Sequence, residues 1–151
     1  MGEWSETTEF FSLGNSLNSK VGPDLPKKLE SHCMLEIDNV QVMITGGLDM
    51  NGGDAKAISN TFVYDFSKSE WSSGPDMVNS RYNHGCATLK FSDLNVLVVA
   101  GGISNSKSTL ASVELLLSEP NGQMSMWIIG KYNLNYKKKK ANCEKSRRCI
   151  Y

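Results

Sequence analysis

Apolar positions along this chain come in short runs, and two of the runs end alike. Gln41-Val-Met-Ile-Thr leads into Gly46-Gly47, and Asn95-Val-Leu-Val-Val-Ala leads into Gly101-Gly102. Neither run alternates apolar with polar residues, as expected of a strand covered on both faces. Around each run lie three more β-rich segments, parted by turn formers. The pattern predicts strands over about 32–37, 41–46, 60–66 and 70–73, then over about 84–91, 95–100, 112–117 and 123–128. Short links at Asp38-Asn39, Ser67-Lys68, Ser92-Asp93 and Pro120-Asn121-Gly122 are turn-prone. No segment before residue 131 carries a convincing helical period.

The two groups of four are copies. Gly22-Pro23-Asp24-Leu25 matches Gly74-Pro75-Asp76-Met77, and a histidine stands eight residues after each Asp, at His32 and His84. Asn60-Thr-Phe-Val-Tyr64-Asp65-Phe takes the place of Ser112-Val-Glu-Leu-Leu-Leu117, and each copy closes on a tryptophan, Trp71 and Trp127. Thr8-Glu-Phe-Phe11-Ser-Leu aligns with Thr61-Phe-Val-Tyr64-Asp-Phe, an earlier partial copy. The period of about 52–56 residues falls in the range of repeat architectures. The expected organisation is the outer half of a preceding unit over 1–23, full units over 24–75 and 76–130, and a separate tail over 131–151.

An apolar run into Gly-Gly, an aromatic followed by Asp (Tyr64-Asp65), then Trp71, then Arg81 and His84, resembles the kelch repeat over about residues 8–130. The second copy departs from it with Leu116-Leu117 for the Tyr-Asp pair, and Leu29 stands where the other copy has Arg81. The resemblance implies an all-β fold, a kelch-type β-propeller fragment of four-stranded antiparallel blades. It also implies structural roles for Gly46, Gly47, Tyr64, Trp71, His32, His84, Gly101, Gly102 and Trp127, with the large aromatics in the core. A closed propeller needs about four blades or more, so no closed ring is expected. Open apolar blade faces point to a piece of a longer repeat protein or an incomplete gene product without independent function; self-association through those faces is the alternative.

Zero net charge hides an asymmetry. Residues 1–130 hold 8 Lys and Arg against 15 Asp and Glu (8 − 15 = −7), while 131–151 hold 8 basic residues against Glu144 alone (8 − 1 = +7). The tail breaks the repeat and reads as a disordered, solvated segment. No nucleic acid is expected as a partner, and a nuclear site enters only if the tail is functional. Cys33 and Cys86 follow the repeat histidines, and the spacing of the four cysteines fits neither a zinc site nor a redox motif. Reduced thiols in a cytoplasmic protein are the default expectation. The sequence Met1-Gly-Glu-Trp-Ser-Glu is not that of a signal peptide, and no run reaches membrane-spanning length, so no membrane partner is expected.

Catalysis is not expected. The only histidines occupy one repeat position, and Asn51-Gly-Gly-Asp54 lacks the Lys-Ser/Thr of a phosphate loop. No cofactor and no metal is expected. The kelch resemblance keeps a galactose oxidase-like copper enzyme fragment as an alternative, but Tyr64, Tyr82 and Tyr132 have no further histidines to join them. Loop length favours recognition of another protein. The connections Leu48–Ser59, Gly74–Asn83 and Ile103–Ala111 are long and fall on one face, and function gathers on long loops carried by a rigid scaffold. The expected contacts are Asp49, Met50, Asn51, Asp54, Lys56, Arg81, Tyr82, Asn83, Ser104, Asn105 and Lys107. The kelch resemblance implies a module of the kind that, in full-length relatives, often presents substrates to a ubiquitin ligase through a separate adaptor domain.

Overall fold

The computed structural model describes residues 6–13, 17–91, 94–118 and 124–130. The expected tail (131–151) and the turns at Ser92-Asp93 and Pro120-Asn121-Gly122 lie outside the described residues. Every regular element among the described residues is a strand. In chain order these are β1 (Glu9–Leu13), β2 (Leu17–Val21), β3 (Leu29–Glu30), β4 (Cys33–Glu36), β5 (Gln41–Thr45), β6 (Leu48–Asp49), β7 (Lys56–Ala57), β8 (Thr61–Asp65), β9 (Glu70–Ser73), β10 (Gly85–Phe91), β11 (Leu94–Ala100), β12 (Val113–Ser118) and β13 (Ile128–Ile129).

They form four sheets, ordered β1-β2, β4-β5-β8-β9, β10-β11-β12-β13 and β3-β6-β7, with every pairing antiparallel and no sheet closed on itself. The apolar runs before each glycine pair become β5 and β11, the second strands of the two four-stranded sheets. Leu35, Ile37, Met43 and Val63 from one sheet pack with Leu97, Val99, Leu116 and Trp127 from the other, and this is the main core.

Turn chemistry explains the short links. The Asp38 carboxylate accepts from Val40 N–H at 2.8 Å. Asp65 accepts from the Ser67 hydroxyl at 2.5 Å, Ser67 N–H at 2.9 Å, Lys68 N–H at 3.3 Å and Gln41 Nε2 at 3.2 Å. These bonds, led by that of the Ser67 side chain, hold its carboxyl far below the usual range. The acidic residue after Tyr64 therefore clamps the β8–β9 turn. The tryptophans have matching jobs: Trp71 Nε1 donates to Pro23 O at 3.3 Å and Trp127 Nε1 to Pro75 O at 2.9 Å. Trp127 and Tyr64 are buried and Trp71 is half-buried. Tyr64 also stacks on Phe10 at 4.7 Å between ring centroids, which ties the β1–β2 hairpin to the first four-stranded sheet.

Both glycine pairs adopt positive φ. A Cβ on Gly47 would lie 2.9 Å from Glu30 O and 2.9 Å from His32 Cβ; on Gly102 it would lie 2.7 Å from Tyr82 O and 2.9 Å from His84 Cβ. Only glycine fits such a conformation beside such close backbone.

Three expectations need correction. The thiols of Cys33 and Cys86 are not free: they form a disulfide across 53 residues, with Cα atoms 6.1 Å apart. Edge strands β4 and β10 lie side by side, which Asn95 Nδ2 reinforces by donating to Ile37 O at 2.7 Å. The first strands of neighbouring units thereby become neighbours in space, with Cys33 joined to a residue one place past its repeat equivalent, Gly85. The stretch over 48–59 is not all loop, because β6 and β7 form a small hairpin that β3 extends to three strands. The last strand of the second four-stranded sheet is limited to Ile128–Ile129, with an isolated bridge between Ser118 and Met124.

Candidate functional site on the loop face

The small sheet β3-β6-β7 has a counterpart in the next unit. Tyr82 bridges Ile103, and Ile103 bridges Thr109. The long connections therefore start from fixed bases. Asn105 joins the two groups: Ala57 N–H donates to its Oδ1 at 2.7 Å, and its Nδ2 donates to Ala57 O at 2.8 Å. Its side chain pairs with the edge of β7 as a further strand would.

Between these elements lies a cleft of about 290 Å³, lined by Asp49, Asn51, Gly52, Asp54, Lys56, Ala57, Ile58 and Asn105. Gly52 and Gly53 both take φ +93°, and nothing lies within 4 Å of a Cβ built on either. Asp49 is the fixed wall. Burial pushes its carboxyl upward, but the Lys27 hydrogen bond and charge and the Asn51 backbone outweigh it, so Asp49 lies below the usual carboxylate range. Its Oδ2 accepts from Lys27 Nζ at 2.6 Å and its Oδ1 from Asn51 N–H at 3.0 Å. Asn51, Asp54 and Lys56 are exposed at the rim. The arrangement offers a negative group, a positive group and amide hydrogen-bonding groups within one shallow polar recess.

The structure therefore brings five expected contacts together: Asp49, Asn51, Asp54, Lys56 and Asn105. Met50 is half-buried and donates its N–H to Lys28 O at 2.9 Å, outside the cleft. Ser104 and Lys107 belong to a tight turn, with Lys107 N–H donating to Ser104 O at 2.9 Å. Exposed Asn83 has φ +51° and donates its N–H to Ser31 O at 3.0 Å, and Tyr82 is half-buried at its bridge.

Arg81 requires a correction. Expected as a partner contact, it is 0% exposed. Its guanidinium donates to Gly101 O at 2.7 Å, Ser112 Oγ at 2.9 Å and Glu114 Oε1 at 2.6 Å. Glu114, also 0% exposed, further accepts from Val78 N–H at 2.7 Å and from Asn79 N–H at 3.0 Å. A buried pair of this kind ties the opening segment of the second unit to β12 and presents nothing to a partner. A signal for it stood in the sequence, because Glu114 is the single charge in a strand of four apolar residues and one serine.

His84 is interior too, and His32 is half-buried. His84 Nε2 lies 2.9 Å from Thr45 Oγ1. Burial, then the charge of Arg81, then that of His32 lower its pKa to about 4. Burial lowers His32 as well, against an opposing hydrogen bond to the Leu29 backbone.

No protein-family model matches this chain, and no curated protein matches it. Among solved structures, one described as "Structure of YjhT" is similar, with a TM-score of 0.62 at 10% sequence identity, covering 82% of this chain and 44% of that one. This chain thus spans less than half the length of that structure. At such low identity the likeness concerns the fold alone.

Proposed function

We propose that this chain is a non-catalytic protein-interaction module built as a kelch-type β-propeller fragment, with its partner seated on the loop-face cleft. The observation that carries this reading is the cleft itself. Long connections from two successive units meet there, anchored by β3-β6-β7 and by Asn105, while Asn51, Asp54 and Lys56 keep exposed polar groups. A rigid scaffold with polar loop groups at a shallow recess suits recognition of a protein segment. The repeat of Gly-Gly, Trp and His positions supports the kelch part of the reading.

The Cys33–Cys86 bond bears on where such a module works. Disulfides persist in oxidising compartments and are rare in the reducing cytosol. We therefore replace the cytoplasmic expectation with an oxidising compartment. Site-specific photo-crosslinking tests the function. A photoreactive residue at Asn51 should capture a protein partner, and one at Lys68 on the opposite loops should not. Equal capture at both positions, or capture at neither, would reject the cleft as the partner site.

A further inference from the structure

β1 stands to the first four-stranded sheet as β8 stands to the second. Gly22 N–H donates to Thr8 O at 2.8 Å, and Gly74 N–H donates to Thr61 O at 2.9 Å. Phe10 packs against Gly22 as Val63 packs against Gly74. Yet β8 has a strand on each side, β5 and β9, while β1 is paired with β2 alone. Among the described residues nothing occupies the edge of β1 that corresponds to the β5 side of β8.

A cavity of about 300 Å³ lies there, with Thr8, Leu25, Leu29 and His32 among its walls. One unit later the same positions are Thr61, Met77, Arg81 and His84, and the space between them is filled by the end of β5. Thr45 pairs in register with Thr61 and reaches His84 Nε2 at 2.9 Å. Gly46 fits so tightly that a Cβ would lie 2.5 Å from Arg81 O and 2.9 Å from Met77 Cε. Thr61 Oγ1 donates to Pro75 O at 2.9 Å. By contrast Thr8 Oγ1 is buried with no hydrogen-bond partner, while Nδ1 is unpaired in both His32 and His84. Buried polar atoms of this kind are costly to leave unpaired.

We propose that the free edge of β1 and this cavity form a docking site for an extended strand of another polypeptide, of the pattern apolar–apolar–Thr/Ser–Gly, seated as β5 is seated beside β8. Main-chain bonds to the edge supply affinity, as in β-strand addition, and the cavity supplies selection. The hydroxyl meets His32, and the glycine passes the Leu29 backbone where no side chain fits. The surface continues the established interface between β5 and residues 77–84 by one repeat. It is separate from the loop-face cleft and does not depend on what that cleft binds.

The test uses the full chain and a synthetic peptide of residues 39–48, Asn-Val-Gln-Val-Met-Ile-Thr-Gly-Gly-Leu. Calorimetry should show saturable 1:1 binding, with exchange protection gained by the amides of Glu9–Leu13. In the peptide, Thr45→Val should weaken binding about tenfold, the scale of one buried hydrogen bond with its partner left unpaired. Gly46→Val should abolish it. These changes leave the folding of the chain untouched. In the chain, His32→Ala should make the unsubstituted peptide and its Thr45→Val variant bind alike. Absence of saturable binding, equal binding of all three peptides, or protection outside β1 would overturn the proposal. So would a dimer of the chain that the peptide fails to displace, since a second copy would then hold the site.

Discussion

Arg81 Nη2 donates to Glu114 Oε1 across 2.6 Å, and neither side chain reaches solvent. The pair joins the segment between the two four-stranded sheets to β12, and its remaining bonds go to backbone groups of 78, 79, 101 and 112 and to the side chains of Asn79 and Ser112. Removing one partner strands a buried charge, which costs about 3–5 kcal/mol. Arg81→Met alone and Glu114→Leu alone should each destabilise on that scale in denaturant unfolding. The double substitution should cost clearly less than the sum. Additive losses would show that the two groups are not coupled.

Acid should weaken the fold through the histidines. An unfolded histidine takes up a proton near pH 6.5, whereas folded His84 does so only near pH 4. Between these values the unfolded chain binds more protons, so stability is complete above pH 6.5 and falls as pH drops toward 4. The slope for one group is at most about 1.4 kcal/mol per pH unit. His84→Gln should flatten the pH dependence of the thermal midpoint between 6.5 and 4. An unchanged slope would assign it to other groups.

The glycine pairs give a graded prediction. Gly46 and Gly101 hold equivalent places, but a Cβ on Gly46 meets Arg81 O at 2.5 Å while the nearest atom to one on Gly101 is Leu110 O at 3.7 Å. Both have positive φ, which costs a non-glycine residue on the order of 1–3 kcal/mol. Gly46→Ala should lose more than Gly101→Ala, because only Gly46 adds a clash. Equal losses in unfolding experiments would show that backbone conformation alone matters.

The disulfide closes a loop between residues 53 apart, which in the chain-entropy account adds about 4 kcal/mol. Non-reducing peptide mapping should recover the Cys33–Cys86 pair. Cys33→Ser with Cys86→Ser, or a reductant, should lower the thermal midpoint to the same value. Free thiols at both positions in the native oxidised protein would contradict the cross-link.

The face of the β10–β13 sheet turned away from the core carries Leu89, Val96 and Leu117 in one cross-strand row. Leu89 is 45% exposed and Leu117 40%. The isolated chain should bind a hydrophobic dye and run larger than 16.7 kDa on sizing. A dye-negative monomer would mean that the face is covered.

The local links were legible from residue order. Apolar runs of strand length, turn formers at Asp38-Asn39 and Ser67-Lys68, and glycines where backbones crowd all act within a few residues, so the sequence alone determined an all-β, antiparallel chain with a repeat. It also put Asp49, Asn51, Asp54, Lys56 and Asn105 on long connections of one face, though Asp49 and Lys56 lie in the short strands β6 and β7. What the tertiary structure decided depends mostly on stacking one unit against the next. That stacking joined Cys33 to Cys86 and left Thr8 and His32 facing a cavity beside β1, while packing within the second unit buried Arg81 against Glu114. Each of these relations spans more than twenty residues. Sequence spacing carries no distance at that range, because only the packing of whole sheets sets how far apart two such side chains lie.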